Sequence, residues 1–258
     1  MPNTALITGA SAGIGRAFAK YHASKGGDVI ATARRADALD ALKAEIEAEY
    51  DVSVTTIAHD LAGVEGARGL YDKGRETGQQ VDILINNAGF GGHGEFLDRD
   101  LDDDLAMIDL NVKSLITLCH LIGKDMVDQG GGKILNVSST AAYMPGPLQA
   151  TYFATKAYVS SFSQALAEEL KSKNVTVTAL EPGYVETEFV ARANLEGIDL
   201  IKGGGATPAS AAKYGYDAMR RAELRAINDT KLRFMLNWLI PFVPRWSVLK
   251  MVRKMQTK

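Results

Sequence analysis

The stretch that decides the fold is Thr4-Ala5-Leu6-Ile7-Thr8-Gly9-Ala10-Ser11-Ala12-Gly13-Ile14-Gly15. It opens as a short apolar strand, breaks into spaced glycines and runs into apolar residues at helical spacing from Ile14 to Lys25. Glycines in such a turn let the main chain approach a pyrophosphate at a helix N-terminus, where unpaired N–H groups and the macrodipole favour an anion. The spacing is G-x-x-x-G-x-G, a departure from G-x-G-x-x-G. Glycine triplets are common by themselves. Position gives this one its meaning, because it stands at the first strand-to-helix junction of a long alternating chain.

Working outward, Ala5 to Thr8, Val29 to Thr32, Val52 to Ile57, Ile83 to Ile85, Ile134 to Val137 and Val175 to Leu180 read as strands. Helical patterns lie between them at Ile14 to Lys25, Ala36 to Tyr50, Val64 to Thr77, Leu105 to Val127 and Tyr152 to Lys173. Strand and helix in alternation predict an α/β fold, a doubly wound (Rossmann) parallel sheet flanked by helices. No repeat or linker divides the chain, so residues 1–258 are expected to form a single domain. Thr207-Pro208 starts a further helix to about Arg221. Before it, about 184–205 lacks strong periodicity and contains Gly203-Gly204-Gly205, and it reads as a substrate lid with a glycine hinge.

The chain has 258 residues, 46% hydrophobic and 23% charged, with 29 basic against 31 acidic side chains, an ordinary globular balance. The single Cys119 excludes a disulfide scaffold. No basic-then-apolar leader precedes the first strand, so a cytoplasmic location is expected. The longest uncharged apolar stretch, between Arg233 and Arg245, falls short of the roughly 20 residues of a membrane-spanning helix.

Three further features carry chemistry. The second strand ends in Arg34-Arg35, where an acidic residue would select a 2′-hydroxyl. Guanidinium forks suit a 2′-phosphate, which points to NADP(H). Tyr152 and Lys156 stand four apart on one helix face, where an ammonium would lower the phenol pKa and let it trade a proton with a carbonyl oxygen. Asn136-Val137-Ser138-Ser139 ends a strand at the carboxyl edge of the sheet and brings hydroxyls to the same crevice.

With these motifs in order, and with Asn86-Asn87-Ala88-Gly89, Asn111 and Pro182-Gly183 followed by Thr187, the chain resembles the short-chain dehydrogenase/reductase family over residues 4 to about 190. The resemblance implies a tetrad of Asn111, Ser139, Tyr152 and Lys156. Tyr152 would be the proton donor in reduction and acceptor in oxidation. Lys156 would hold the nicotinamide ribose and depress the phenol pKa, and Ser139 would bind the reacting carbonyl. Ser139 is preferred to Ser138 because it lies thirteen residues before Tyr152. Asn111 would anchor a water-linked proton relay, or satisfy a helix bulge. The cofactor would lie against Gly9, Ser11, Gly13, Ile14, Gly15, Arg34, Asp60, Leu61, Asn87, Ala88, Gly89, Pro182, Gly183, Val185 and Thr187, together with Tyr152 and Lys156. The implied substrate is a small-molecule carbonyl or alcohol, of hydrophobic character given Phe90, Ala141, Tyr143, Met144, Pro145 and Tyr184. A homodimer or homotetramer is implied as well.

His22, His59, His93 and His120 show no ligand spacing, so no metal site is expected. Cys119 reads as a packed thiol. Phe90-Gly91-Gly92-His93-Gly94 is a loop that either borders the substrate or only connects. Residues from about 230 to 258 form an apolar, basic extension in which Lys231 to Lys258 hold seven basic residues and no acidic one, leaving 22 basic against 31 acidic before it. This tail lies on a membrane surface, packs against the body or a second subunit, or roofs the pocket; burial is slightly preferred. The excess of basic over acidic charge is confined to that apolar tail, which speaks against nucleic acid. A catalytically idle cofactor sensor is the rival from another class, and an intact tetrad weighs against it. Nucleotide-sugar epimerisation is disfavoured by the short C-terminal part.

Overall fold

A computed structural model describes residues 3–201 and 203–258; Lys202, inside the expected lid, lies outside the described residues. The chain runs β1 (Thr4–Thr8), α1 (Gly13–Ala23), β2 (Asp28–Ala33), α2 (Ala36–Glu49), β3 (Val54–Ala58), α3 (Gly63–Glu76) and β4 (Ile83–Asn86). It continues through α4 (Leu101–Ile108), α5 (Leu115–Asp128), β5 (Gly132–Val137), α6 (Ala150–Lys171), β6 (Val175–Leu180), α7 (Phe189–Arg192), α8 (Pro208–Arg220), β7 (Arg225–Ala226), α9 (Thr230–Phe234) and α10 (Arg245–Gln256). The strands form one parallel sheet in the order β3-β2-β1-β4-β5-β6-β7.

Side chains alternate across the strands and build two cores. Ala5, Ile7, Val29 and Ala31 face Phe18, Leu39, Leu42 and Tyr216 on α1, α2 and α8. Leu6, Ile30 and Leu84 face Leu70, Leu118, Ile122 and Val159 on α3, α5 and α6. Both faces of the strands are therefore covered, which is why they read as continuous apolar runs. The chain reverses direction in the sheet between β1 and β4, and the crevice at their carboxyl ends is where such folds bind ligands.

Three details differ from the sequence expectations. The helix expected from Leu105 begins at Leu101, and Asp109–Ser114 forms a π-helical turn that joins α4 to α5. β3 begins at Val54 instead of Val52 because Val52 closes a turn onto the carbonyl of Tyr50. The two-residue β7 was invisible to periodicity and exists through its pairing with β6. The start of α8 follows expectation: Thr207 caps it by accepting from the Ser210 amide at 3.2 Å.

Candidate active site

The nucleotide side is built from backbone. Gly9 and Gly13 adopt φ of +67° and +54°. A Cβ on Gly15 would fall 2.2 Å from the Gly9 carbonyl oxygen and 2.5 Å from Asn87 Nδ2. The Thr8 hydroxyl accepts from the amides of Asn87 and Ala88, both at 2.9 Å, and Asn87 Nδ2 donates to the Thr8 carbonyl at 2.9 Å. Asn87 and Ala88 thus lock β1 to β4 beneath the glycine loop, and those donors serve the fold. Ala12 caps α1 with no side-chain hydrogen bond, and the first turn carries no acidic residue. Main-chain donors there are left for an anion.

The basic residues cluster above this loop. Arg35, next to the Arg34 singled out from sequence, reaches it: its guanidinium donates to Ser11 Oγ at 3.2 Å and to the Glu188 carboxylate at 3.0 and 3.5 Å. Arg192 of α7 lies over the Phe90 ring at 4.8 Å. Its pKa is pushed down by burial and then by the positive charges of Arg34 and Arg35, while Asp60 opposes them. Three guanidiniums held near one another, with a carboxylate in the fork of one, make a site suited to a dianionic phosphate. Leu61 is buried in the core beside Leu70 and Leu115.

On the reacting side the two adjacent serines part company. Ser138 is buried and donates to the Lys156 carbonyl at 2.8 Å, with Ser160 Oγ also at 2.8 Å, so it ties β5 to α6. Ser139 begins the turn Thr140–Tyr143, accepts from the Ala141 amide at 3.1 Å and lies close enough to the Tyr152 phenol to pull its pKa downward. Lys156 is 6% exposed; its Nζ donates to the Val137 carbonyl at 2.9 Å and stands 5.7 Å from the Tyr152 ring centre. Burial lowers its pKa to about 8.

The phenol is where the sequence expectation fails. A Tyr–Lys pair on one helix face predicts a depressed phenol, yet Tyr152 is pushed up to about 12, because burial outweighs the help of Ser139. The Lys156 ammonium is itself desolvated, and it is directed at a backbone carbonyl.

Asn111 sits in the π-helical turn. Its Oδ1 accepts from the Phe90 amide at 3.1 Å, while Nδ2 donates to the Phe90 carbonyl at 2.9 Å and to Thr155 Oγ1 at 3.2 Å. A side chain on Gly89 would meet Asn111 Oδ1 at 2.9 Å and Lys156 Nζ at 3.6 Å, so Gly89 keeps these two groups adjacent. The glycine loop after β4 does border the site: a Cβ on Gly91 would strike Phe189 at 2.8 Å and Tyr152 at 3.3 Å. Pro182 accepts from the Thr140 amide, fixing the serine turn. Val185 pairs with Ala206, and Thr187 packs where a Gly13 side chain would lie, 3.1 Å away. Carboxyl ends of β1, β4, β5 and β6 therefore converge on one crevice, with an anion cradle at one end and a half-buried phenol at the other. Residues 3–196 match the family model for short chain dehydrogenases.

The chain belongs to the short-chain dehydrogenase family. It is 33% identical over 258 residues to the very-long-chain 3-oxoacyl-CoA reductase of Macaca fascicularis, covering 97% of this chain and 78% of that protein. It is 36% identical over 195 residues to the 3-oxoacyl-[acyl-carrier-protein] reductase of Synechocystis sp., covering 75% and 78%. The solved short-chain dehydrogenase from Sphingobium yanoikuyae in complex with NADPH shares its fold with a TM-score of 0.83 at 31% identity, covering 98% of this chain and 94% of that one. The protein is an oxidoreductase of this family.

In this short-chain dehydrogenase several site residues escaped sequence reasoning. Thr155 bridges the Tyr152 carbonyl to Asn111, and Phe189 places its ring 5.4 Å from that of Tyr152. Glu181, fully buried, accepts from the Tyr143 and Ser160 hydroxyls at 2.6 Å and from Arg225, which pins the serine turn to α6. A carboxylate beside the Pro-Gly motif was the only available signal. Over the site lies the tail: Leu236, Ile240, Val248 and Val252 are buried in one cluster with Ala141 and Phe153, against which Tyr143, Met144, Tyr152, Leu232 and Met235 pack. His93 and Gln149 fasten α10 through Gln256 at 2.7 and 2.6 Å. Cys119 is a buried thiol pushed up to about 12, as packing predicts.

Proposed function

We propose that the protein is an NADP(H)-dependent reductase that moves a hydride between the cofactor and a hydrophobic ketone or aldehyde, with Tyr152 as the proton donor. The observation that carries this reading is the half-buried Tyr152 phenol, held protonated beside Ser139 and Lys156 and facing the same crevice as an uncapped helix N-terminus.

The chain's own residues fit the cofactor. The amides at the start of α1 would take the pyrophosphate, because Gly13 and Gly15 leave no side chain in the way. Arg34 and Arg35, with Arg192 beside them, would hold the 2′-phosphate, which NADH lacks. When bound, NADPH supplies the hydride that adds to the carbonyl carbon. Ser139 donates a hydrogen bond to the carbonyl oxygen and fixes its direction toward Tyr152. The Tyr152 O–H then breaks and its proton goes to that oxygen, so ketone, hydride and proton balance to an alcohol. A phenol that keeps its proton at neutral pH is in the form that general-acid catalysis of reduction requires. Lys156, once a ribose diol accepts from it, stabilises the phenolate left behind.

Phe189 lies against the Tyr152 ring, and Met144, Leu232 and Met235 pack on the same apolar cluster as Tyr152, which supports a carbonyl on an apolar chain. Two relatives are named for reducing 3-oxoacyl thioesters, so a long-chain 3-oxoacyl thioester is the first substrate to try. The stretch 184–205 is the substrate lid: its ends are tied through Val185 and Ala206, and Ala193, Leu195 and Ile198 give it a small core of its own. Self-assembly into a dimer or tetramer belongs to this reading, with Leu97, Leu101 and Leu105 exposed around α4 to serve it.

The test is oxidation of NADPH and NADH over a panel of 3-oxoacyl thioesters, ketones and aldehydes, with wild type beside Tyr152→Phe. The expected result is turnover with NADPH that falls by about 100-fold to 10,000-fold in the variant, while NADPH binding is retained. NADPH binding without turnover of any panel member would turn the reading toward an idle cofactor sensor.

A further inference from the structure

The tail has two faces of opposite fate. Its inner side chains close over Tyr152, while Phe234, Trp238, Leu239, Phe242, Val243 and Trp246 point outward. Trp238, Phe242 and Trp246 are 66%, 82% and 77% exposed. An exposed apolar patch of this kind marks a contact surface on an otherwise covered body. Around it Lys231, Arg233, Arg245, Lys250 and Lys254 are exposed, and among the described residues only Arg253 of the tail's cations is ion-paired, to Glu95. No acidic residue occurs from 231 to 258.

We propose that this outer face docks on an anionic lipid surface, with the aromatic side chains in the headgroup region and the cations on the lipid charges. Charge decides among occupants. A two-fold contact between copies of the tail would set cation against cation. A negatively charged membrane complements both parts of the pattern, since tryptophan favours the interface and lysine and arginine neutralise acidic headgroups. Pro241 and Pro244 separate the helical run 230–239 from α10, and both pieces leave aromatic residues exposed, Phe234 and Trp238 on the first and Trp246 on the second. The inner face covers Tyr152, so a carbonyl dissolved in the bilayer would meet this segment first; that consequence rests on the proposed reaction, whereas the docking does not.

The full chain is tested by flotation with vesicles of phosphatidylcholine alone and of phosphatidylcholine with phosphatidylglycerol. Trp238 and Trp246 are the only tryptophans, so intrinsic emission reports the patch directly. The expected result is flotation with the anionic vesicles, an emission shift to shorter wavelength and weakening by salt. Lys231→Gln, Lys250→Gln and Lys254→Gln should each lower the partition coefficient about fivefold. Trp238→Ser with Phe242→Ser should lower it at least about tenfold while thermal unfolding and NADPH binding stay as in wild type. Absence of flotation of the wild type on anionic vesicles, or equal flotation of the aromatic variant, overturns the proposal. So does a dimer that the aromatic variant converts to monomer, which would make the face a contact between copies.

Discussion

The two ends of the crevice are made in different ways. The nucleotide end is a backbone structure: Gly9, Gly13 and Gly15 shape it, Thr8 and Asn87 lock it, and a single Cβ at Gly15 has nowhere to go. The reacting end is a side-chain structure, assembled from α6, the serine turn, the stretch 184–205 and a tail that arrives about a hundred residues after Tyr152. Backbone geometry leaves almost no substitution neutral, whereas packed side chains set polarity and can be exchanged with graded effects. The first end suits an invariant part of a ligand, and the second suits the part that varies.

Breaking the nucleotide end should give the largest effect. Gly15→Ala forces backbone apart at 2.2 Å and is expected to cost about 3 kcal/mol or more and to abolish NADPH binding, as read by denaturant unfolding and cofactor fluorescence. A variant that still binds NADPH with wild-type affinity would show the loop to be looser than its contacts imply.

The reacting end gives the second contrast, because there stability and chemistry oppose one another. Burial holds the Lys156 pKa near 8 against 10.5 for the free side chain, so its ammonium destabilises the folded state below pH 8. Lys156→Met is expected to raise the unfolding free energy by up to about 3 kcal/mol near neutral pH while turnover is lost. The sign follows from linkage: the unfolded chain binds more protons between pH 8 and 10.5, the wild type recovers across that window, and the advantage of the variant fades above it. Unfolding curves at neutral and alkaline pH check this, and an advantage that does not shrink with pH would remove burial as its cause.

The smallest effect sharpens the cofactor assignment. Arg35→Ala leaves the glycine loop intact and removes one exposed fork, so NADPH affinity should fall about tenfold, with NADH affinity little changed. Equal losses for both cofactors would place Arg35 away from the 2′-phosphate.

Much of this was legible from residue order. Six of the seven strands lay in apolar runs because both sheet faces are buried, and the tetrad stood in its usual order. The pair Ser138-Ser139 shows the limit. Adjacent strand-end residues point in opposite directions, and only the packing of β5 on α6 sends Ser138 into the interior and Ser139 toward the phenol. Arg34-Arg35 repeats the lesson, since one of two identical neighbours reaches Ser11. The π-helical turn that presents Asn111 left no periodicity signal, because it is a local winding change inside a continuous apolar pattern.

By itself the sequence determined the alternation of strands and helices, the glycine turn, the cationic end of β2 and the order of the reacting residues. These follow from the period of hydrophobicity and from the few side chains that each local geometry tolerates. The tertiary structure alone decided which serine meets Tyr152, that its phenol is raised and not depressed, that Arg192 joins the two arginines, and which face of the tail is covered. Those properties depend on desolvation and on contacts between residues far apart in the chain, which no local pattern encodes.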